Sequence, residues 1–257
     1  MKIYQIDAFT DQLFGGNPAA VCPMESWIPD KKMQQIAMEN NLSETAFLVK
    51  EGDSFHIRWF TPEMEIDLCG HATLASAHVI FNHLAYHGEM VTFQYGGGFL
   101  YVRKDGDLLC MDFPAVNSEK THISNQMTIS LGKEPKEAYE SRDLMVVFDT
   151  QKDIEDLSPD FIKLFDIEHL GVIATAKGEK VDFVSRFFAP RAGINEDPVT
   201  GSAHCMLVPF WAKRLGKNKL EALQLSKRIG KLFCEFKGQR VDIAGKAVTY
   251  LIGEINV

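Results

Sequence analysis

No window of this sequence holds the roughly 18 consecutive apolar residues that a membrane-spanning helix requires, so no span is expected. It has no polybasic run either: 27 Lys and Arg stand against 35 Asp and Glu, a net charge of -8. Nucleic acids and anionic membrane surfaces select an excess of cationic side chains, so neither is an expected partner. The five cysteines, at 22, 69, 110, 205 and 234, are odd in number and lack CxxC spacing. The start, MKIYQIDAF, alternates like a strand and has neither the basic n-region nor the apolar h-region of a signal peptide. Reduced thiols in a cytoplasmic protein are the expectation.

Several chemical signatures are missing as well. There is no GxxxxGK followed by Ser or Thr, the phosphate-cradling loop. The GGG at 96–98 lies between strand-like runs and lacks GxGxxG spacing. A GxSxG nucleophile elbow is absent. Cys69, His71, His204 and Cys205 fit no standard zinc spacing, and no metal is expected. What is present is an ordinary globular balance, 46% hydrophobic and 24% charged over 257 residues, enough for one large or two small cores.

The chain repeats itself. LSETAFLVKEGDSFHIRWFTP (42–62) aligns with LGVIATAKGEKVDFVSRFFAP (170–190) at a constant offset of 128. Leu42/Leu170, Ala46/Ala174, Glu51/Glu179, Phe55/Phe183, Arg58/Arg186, Phe60/Phe188 and Pro62/Pro190 are shared. Upstream, WIPDKKMQQIAMEN and DLSPDFIKLFDIEH each predict a helix opening at a Pro/Asp start signal. Downstream, CGHATLASAHVIF and TGSAHCMLVPFW align Gly70 with Gly201 after three extra residues in the second copy. Both runs are apolar nearly all round, which predicts helices buried inside a curved sheet; Pro209 predicts a kink in the second. The repeat reads as two similar α/β halves.

Thr200-Gly201-Ser202 and Cys69-Gly70-His71 therefore open the two buried helices. Helix starts offer free N–H groups and partial positive charge, a receptor for a carboxylate or an enolate-like intermediate. The plainer alternative is that Thr200 or Ser202 caps its own helix. The copies differ at one telling position: Glu44 aligns with Val172. A glutamate there is either a solvated strand end or a single acid/base; partial desolvation would suit it to taking and returning a proton. Asp197 either assists from the second half or ends a turn before Pro198.

Taken in order, DAFTDQLFGGNPAAV, NNLSETAF, RWFTPEMEIDLCGHATLASAHV, RFFAPRAGINEDPVTGSAHC and LQLSKRIGKL resemble the motifs of the phenazine-biosynthesis isomerase (PhzF) family over almost the whole chain. The resemblance implies an α+β fold like that of diaminopimelate epimerase. Its two pseudo-symmetric halves would each be a curved sheet or barrel around a central buried helix, with the active site between them. The halves would be 1–114 and 115–257, the last strand, about 247–257, a candidate to cross back to the first. It also implies a homodimer, no cofactor or metal, and a small carboxylate-bearing substrate. Glu44 matches the catalytic acid/base, which in the characterised isomerase moves a proton between carbons of a dihydro-hydroxyanthranilate ring. His71, Asp197 and Ser202 match the other catalytic positions. Asn17, Ser43, Gly70, Ala72, Thr200 and Gly201 are the substrate-binding candidates.

Two departures matter. Cys69 falls near the first of the two opposed cysteines of the epimerase relatives, but Thr200 stands at the partner position. That argues against a two-thiol mechanism and for Cys69 as a small buried residue. Leu225 and Ile229 stand where relatives often carry glycines, at the expected floor of the pocket. The expected activity is a one-glutamate isomerase or epimerase; the alternatives are a cysteine-type racemase and a non-catalytic small-molecule binding protein of the same fold.

Overall fold

The computed structural model describes residues 1–257. The chain forms two compact units, Met1–Asp112 with Ile243–Val257, and Phe113–Asp242.

Unit 1 begins with strands β1 (Lys2–Ala8) and β2 (Asn17–Met24), helix α1 (Asp30–Asn40), and strands β3 (Glu44–Glu51), β4 (Ser54–Phe60) and β5 (Glu65–Ile66). Helix α2 (Gly70–His83) and the meander β6 (Met90–Tyr95), β7 (Gly98–Asp105) and β8 (Leu108–Pro114) follow. β1 and β2 pair antiparallel, β2 and β3 parallel with Ala19 beside Glu44, and β3 and β4 antiparallel. β4 then runs parallel to β6. Each parallel pair needs a crossover, and α1 and α2 supply them.

Those helices cover opposite faces of the sheet. Ala20, Cys22 and Phe47 pack with Met33, Ile36 and Ala37 of α1. The alternate residues of β2 and β3 turn to the other face, where α2 packs. With both faces covered, β3 is buried from Glu44 to Val49. The helix itself is buried continuously from His71 to Ala77 and packs on β1, β2 and β3, as its all-round apolar sequence predicts.

Unit 2 contains β9 (Glu119–Thr121), α3 (Asn125–Leu131), β10 (Glu137–Glu140), β11 (Leu144–Val147), α4 (Gln151–Glu155), α5 (Phe161–Phe165), β12 (Val172–Lys177) and β13 (Phe183–Ala189). It continues with β14 (Ile194–Asp197), α6 (Gly201–Leu215), β15 (Lys219–Gln224) and β16 (Gly230–Phe236). β17 (Arg240–Gly245) returns the chain to unit 1, where β18 (Ala247–Glu254) pairs antiparallel with β1.

The pairing pattern of unit 1 recurs within unit 2. β11 and β12 are parallel, β12 and β13 antiparallel, β13 and β15 parallel, and β15 and β16 antiparallel. β3 and β12 begin at the aligned Glu44 and Val172, and α2 and α6 at the aligned glycines. One detail differs from the sequence expectation. The single helix expected around 157–168 is a five-residue α5, preceded by a separate α4. Pro159 biases Ser158 away from helical backbone, and the side chain of Asp160 then caps a new start. α6 continues through Pro209 to Leu215.

Candidate active site

Glu44 owes its position to the end of α1. Asn41 closes that helix in the left-handed conformation, and β3 starts three residues later. The Asn40 side chain donates to Thr45 Oγ1 at 3.0 Å and fixes this corner. Strand alternation puts Glu44 on the same face as Ala46 and Leu48, the face that α2 covers. Glu44 is therefore 7% exposed, not a solvated strand end.

His71, the second residue of α2, is 5% exposed. Its Nε2 lies 3.0 Å from Glu44 Oε2, without the alignment of a hydrogen bond. Asn17 Nδ2 lies 3.1 Å from Nδ1 on the opposite edge of the ring, and Cys69 Sγ lies 3.5 Å from the same nitrogen. In the neutral ring, Nε2–H faces the carboxylate and Nδ1 accepts from Asn17; protonating Nδ1 requires the Asn17 amide to turn its oxygen inward.

Burial pushes the His71 pKa down, but the Cys69 and Glu44 side chains beside the ring outweigh it and hold His71 well above the usual histidine value. Cys69 itself is pushed up to about 11, first by burial and then by Glu44, so it is a neutral thiol near pH 7. The charge that sustains the imidazolium is thus Glu44's.

Asn17 follows a loop that turns sharply back. Phe9 and Phe14 adopt positive φ, and Phe14 N donates to the buried Asp7 carboxylate at 2.8 Å. Gly16 has φ +58, and a Cβ there would lie 2.0 Å from Ala8 O. The turn brings Asn17 opposite Ala8 and, through β2, toward α2.

Cys69 is the N-cap of α2, in extended conformation with no side-chain cap bond. The amides of Gly70, His71 and Ala72 keep the donor capacity of a first helical turn. Ala72 is fully buried, so only its backbone is available to a ligand; Ser43 and Gly70 are half-buried. Glu44, Cys69 and His71 offer donor atoms within 4.8 Å of one another. The thiol and the carboxylate address opposite edges of one imidazole, so one ion cannot take all three without turning the ring.

Within unit 2, Thr200 is the N-cap of α6 but does not cap it with its side chain. Its Oγ1 donates to Asp197 Oδ2 at 2.6 Å. The fully buried Gln224 accepts from Thr200 N at 2.8 Å and donates to Asp197 O at 2.8 Å and to Thr200 Oγ1 at 3.1 Å. Ser202 Oγ accepts from Arg142 Nη2 at 3.1 Å. The self-capping alternative is therefore not what these hydroxyls do. His204 and Cys205 are buried on α6: burial lowers the histidine to about 4 and raises the thiol to about 12, leaving both neutral.

Two residues beside these groups escaped the sequence reading. Gln224 gave no signal, because its contacts depend on the β13–β15 register. Arg142 lies outside the aligned segments, and only the β2–β3 and β11–β12 registers relate it to Asn17. Of the two positions where relatives often carry glycine, Leu225 packs against the unit 2 core. Ile229 holds φ 52 and is 50% exposed. A β-branched residue in that region is strained. Ile229→Gly is expected to stabilise the protein by about 1 kcal/mol, read as a higher denaturant midpoint at unchanged m-value; a lower midpoint would show that the side chain's contacts outweigh the strain.

The comparisons with known proteins agree with this architecture. The family profile described as phenazine biosynthesis-like protein (PhzC-PhzF) matches residues 6–253. An uncharacterized isomerase of Pseudomonas aeruginosa is 48% identical over 257 residues, covering 100% of this chain and 99% of the relative. A crystal structure of a PhzF family protein from Enterococcus faecalis superposes with a TM-score of 0.98 at 48% identity, covering 100% of this chain and 99% of the other. A Pseudomonas aeruginosa protein described as a predicted epimerase shares the fold at 19% identity, TM-score 0.74, covering 100% and 99% of the two chains. The fold is thus the α+β, diaminopimelate epimerase-like one, and the chain belongs to the PhzC-PhzF family of phenazine biosynthesis-like proteins.

Proposed function

We propose that the protein is an isomerase or epimerase that needs no cofactor and moves a proton on a small carboxylate-bearing substrate through Glu44. One observation carries the reading: a carboxylate buried at the start of α2, 3.0 Å from a histidine whose cationic form it favours. Glu44 takes a proton from a carbon next to a carboxylate or enol, becoming neutral, and the electron pair stays on the substrate as an enolate-like anion. The first-turn amides of α2 stabilise that anion, and Glu44 returns the proton to another carbon or to the same one. Asp197 and Ser202 are assigned to orienting the substrate. Its membership of a family whose curated relatives include proteins named isomerases supports the reaction class. No helix is long and apolar enough to cross a membrane; a cytoplasmic homodimer is the proposed working form.

The test is deuterium uptake from heavy water into dihydro-hydroxyanthranilate and a panel of amino-acid carboxylates, with wild type and Glu44→Gln. Undiminished uptake in the variant would end the one-base proposal. A thiol mechanism is the second reading, because Cys69 Sγ touches His71. Cys69→Ala is expected to keep turnover within a few-fold, since a thiol held at about 11 is a poor base near neutrality. Loss of turnover by orders of magnitude in that variant would favour the cysteine.

A further inference from the structure

Arg142 occupies in unit 2 the place that Asn17 occupies in unit 1. Ala19 pairs with Glu44 in the β2–β3 register, and Leu144 pairs with Val172, the aligned partner of Glu44, in the β11–β12 register. Two residues before Ala19 stands Asn17; two before Leu144 stands Arg142. The contacts repeat as well. Asn17 Nδ2 meets His71, the second residue of α2, and Arg142 Nη2 meets Ser202, the second residue of α6, each at 3.1 Å. The repeat has kept the contact and changed its chemistry, from an amide on an imidazole to a guanidinium on a hydroxyl.

That change creates an anion receptor. Arg142 is anchored by Asp143, whose Oδ2 accepts from Nη2 at 2.8 Å and which is 4% exposed. Nη2 makes both bonds; Nε–H and the N–H groups of Nη1 make none, and the side chain is 55% exposed. By donating to Ser202 Oγ, Arg142 takes up a lone pair of the hydroxyl and leaves its O–H to donate elsewhere. A guanidinium held by Asp143, with its Nε–H and Nη1 donors and its charge still available beside a hydroxyl donor, suits a carboxylate.

We propose that Arg142 is a substrate-binding, specificity-determining residue that, with Ser202, receives a carboxylate of the substrate. This rests on the isomerase reading for the identity of the ligand. The experiment is calorimetric titration of wild type, Arg142→Gln, Arg142→Lys and Glu44→Gln with benzoate, anthranilate, glutarate and proline, and with benzamide as the uncharged control. Wild type is expected to bind at least one carboxylate in preference to benzamide. Arg142→Gln should weaken that carboxylate roughly 10- to 100-fold without changing benzamide binding. Arg142→Lys, which keeps the charge beside Asp143 but cannot hold Asp143 and Ser202 and still present the guanidinium's other donors, should fall between. Equal carboxylate affinity in wild type and Arg142→Gln would overturn the proposal, as would failure of wild type to bind any of these carboxylates at millimolar probe. Loss of thermal stability in both Arg142 variants with unchanged carboxylate preference would reduce the residue to a structural partner of Asp143. Glu44→Gln separates the two readings: it should keep carboxylate affinity while losing deuterium exchange. If it keeps both, the one-base reading fails and the Arg142 assignment stands.

Discussion

Glu44→Gln is expected to lower kcat for proton exchange by about 10²- to 10⁴-fold, the range that a positioned general base contributes. KM should change little, because the lost interaction belongs to the proton-transfer step and not to uniform binding. Glutamine is nearly isosteric with glutamate, so the corner fixed by Asn40 and Thr45 should persist. Without the Glu44 charge, burial favours the neutral form of His71, so no unpaired charge is left and thermal stability should not collapse with activity. A fall in kcat accompanied by a comparable loss of folded protein would point to a structural role. A fall in kcat at constant stability, with deuterium uptake abolished in the same proportion, is the result the mechanism requires.

The largest stability effect is expected at His71. Removing it by His71→Ala leaves the Glu44 carboxylate buried without its counter-charge. Breaking such a pair costs about 3–5 kcal/mol. In a chain of this size each kcal/mol lowers Tm by roughly 2–4 °C, so the drop should be on the order of 10 °C. The pH dependence carries a definite sign. The folded-state pKa of His71 is raised, so the pair's contribution is fully present below the unfolded value of about 6.5. It is lost as pH rises through the higher folded value. Wild-type stability should therefore decline across the mildly alkaline range, and His71→Ala should lack that component. Chemical denaturation at a series of pH values measures it directly. Parallel curves for wild type and variant would show that the histidine is neutral in the folded protein. Glu44→Gln/His71→Ala should recover part of the loss, because no buried charge then remains unpaired.

Much of the fold was legible because the chain carries its pattern twice. The identities between 42–62 and 170–190 fall on β3–β4 and β12–β13, and the aligned glycines fall on the starts of α2 and α6. Apolar residues on every side of ATLASAHVIF announced a buried helix. Less legible was anything decided by pairing across the sheet. A glutamate opening a strand reads equally as solvated or buried; the packing of α2 over β3 decides it. Cys69 was weighed as one of the epimerases' two cysteines and as a small buried residue, and its contact with His71 Nδ1 depends on the ring's orientation. Gln224 looks like any polar residue near a strand end until β15 lies parallel to β13 and brings it under the Asp197–Thr200 segment. Arg142 sits in a short turn with no periodicity to read. Its meaning comes from register counted along two strands, not from neighbours in sequence.

Gln224 also imposes a direction on the protons around it. A backbone N–H can only donate, so the amide must present Oε1 to Thr200 N and Nε2 to its other partners. Nε2–H then fills a lone pair of Thr200 Oγ1, and the hydroxyl passes its own hydrogen onward to Asp197 Oδ2. The order amide, hydroxyl, carboxylate runs one way, and one lone pair of Asp197 Oδ2 is spent on the Thr200 hydrogen. A single buried amide thus orients three bonds at the start of α6, and the hydroxyl it fills from one side turns its hydrogen to the aspartate.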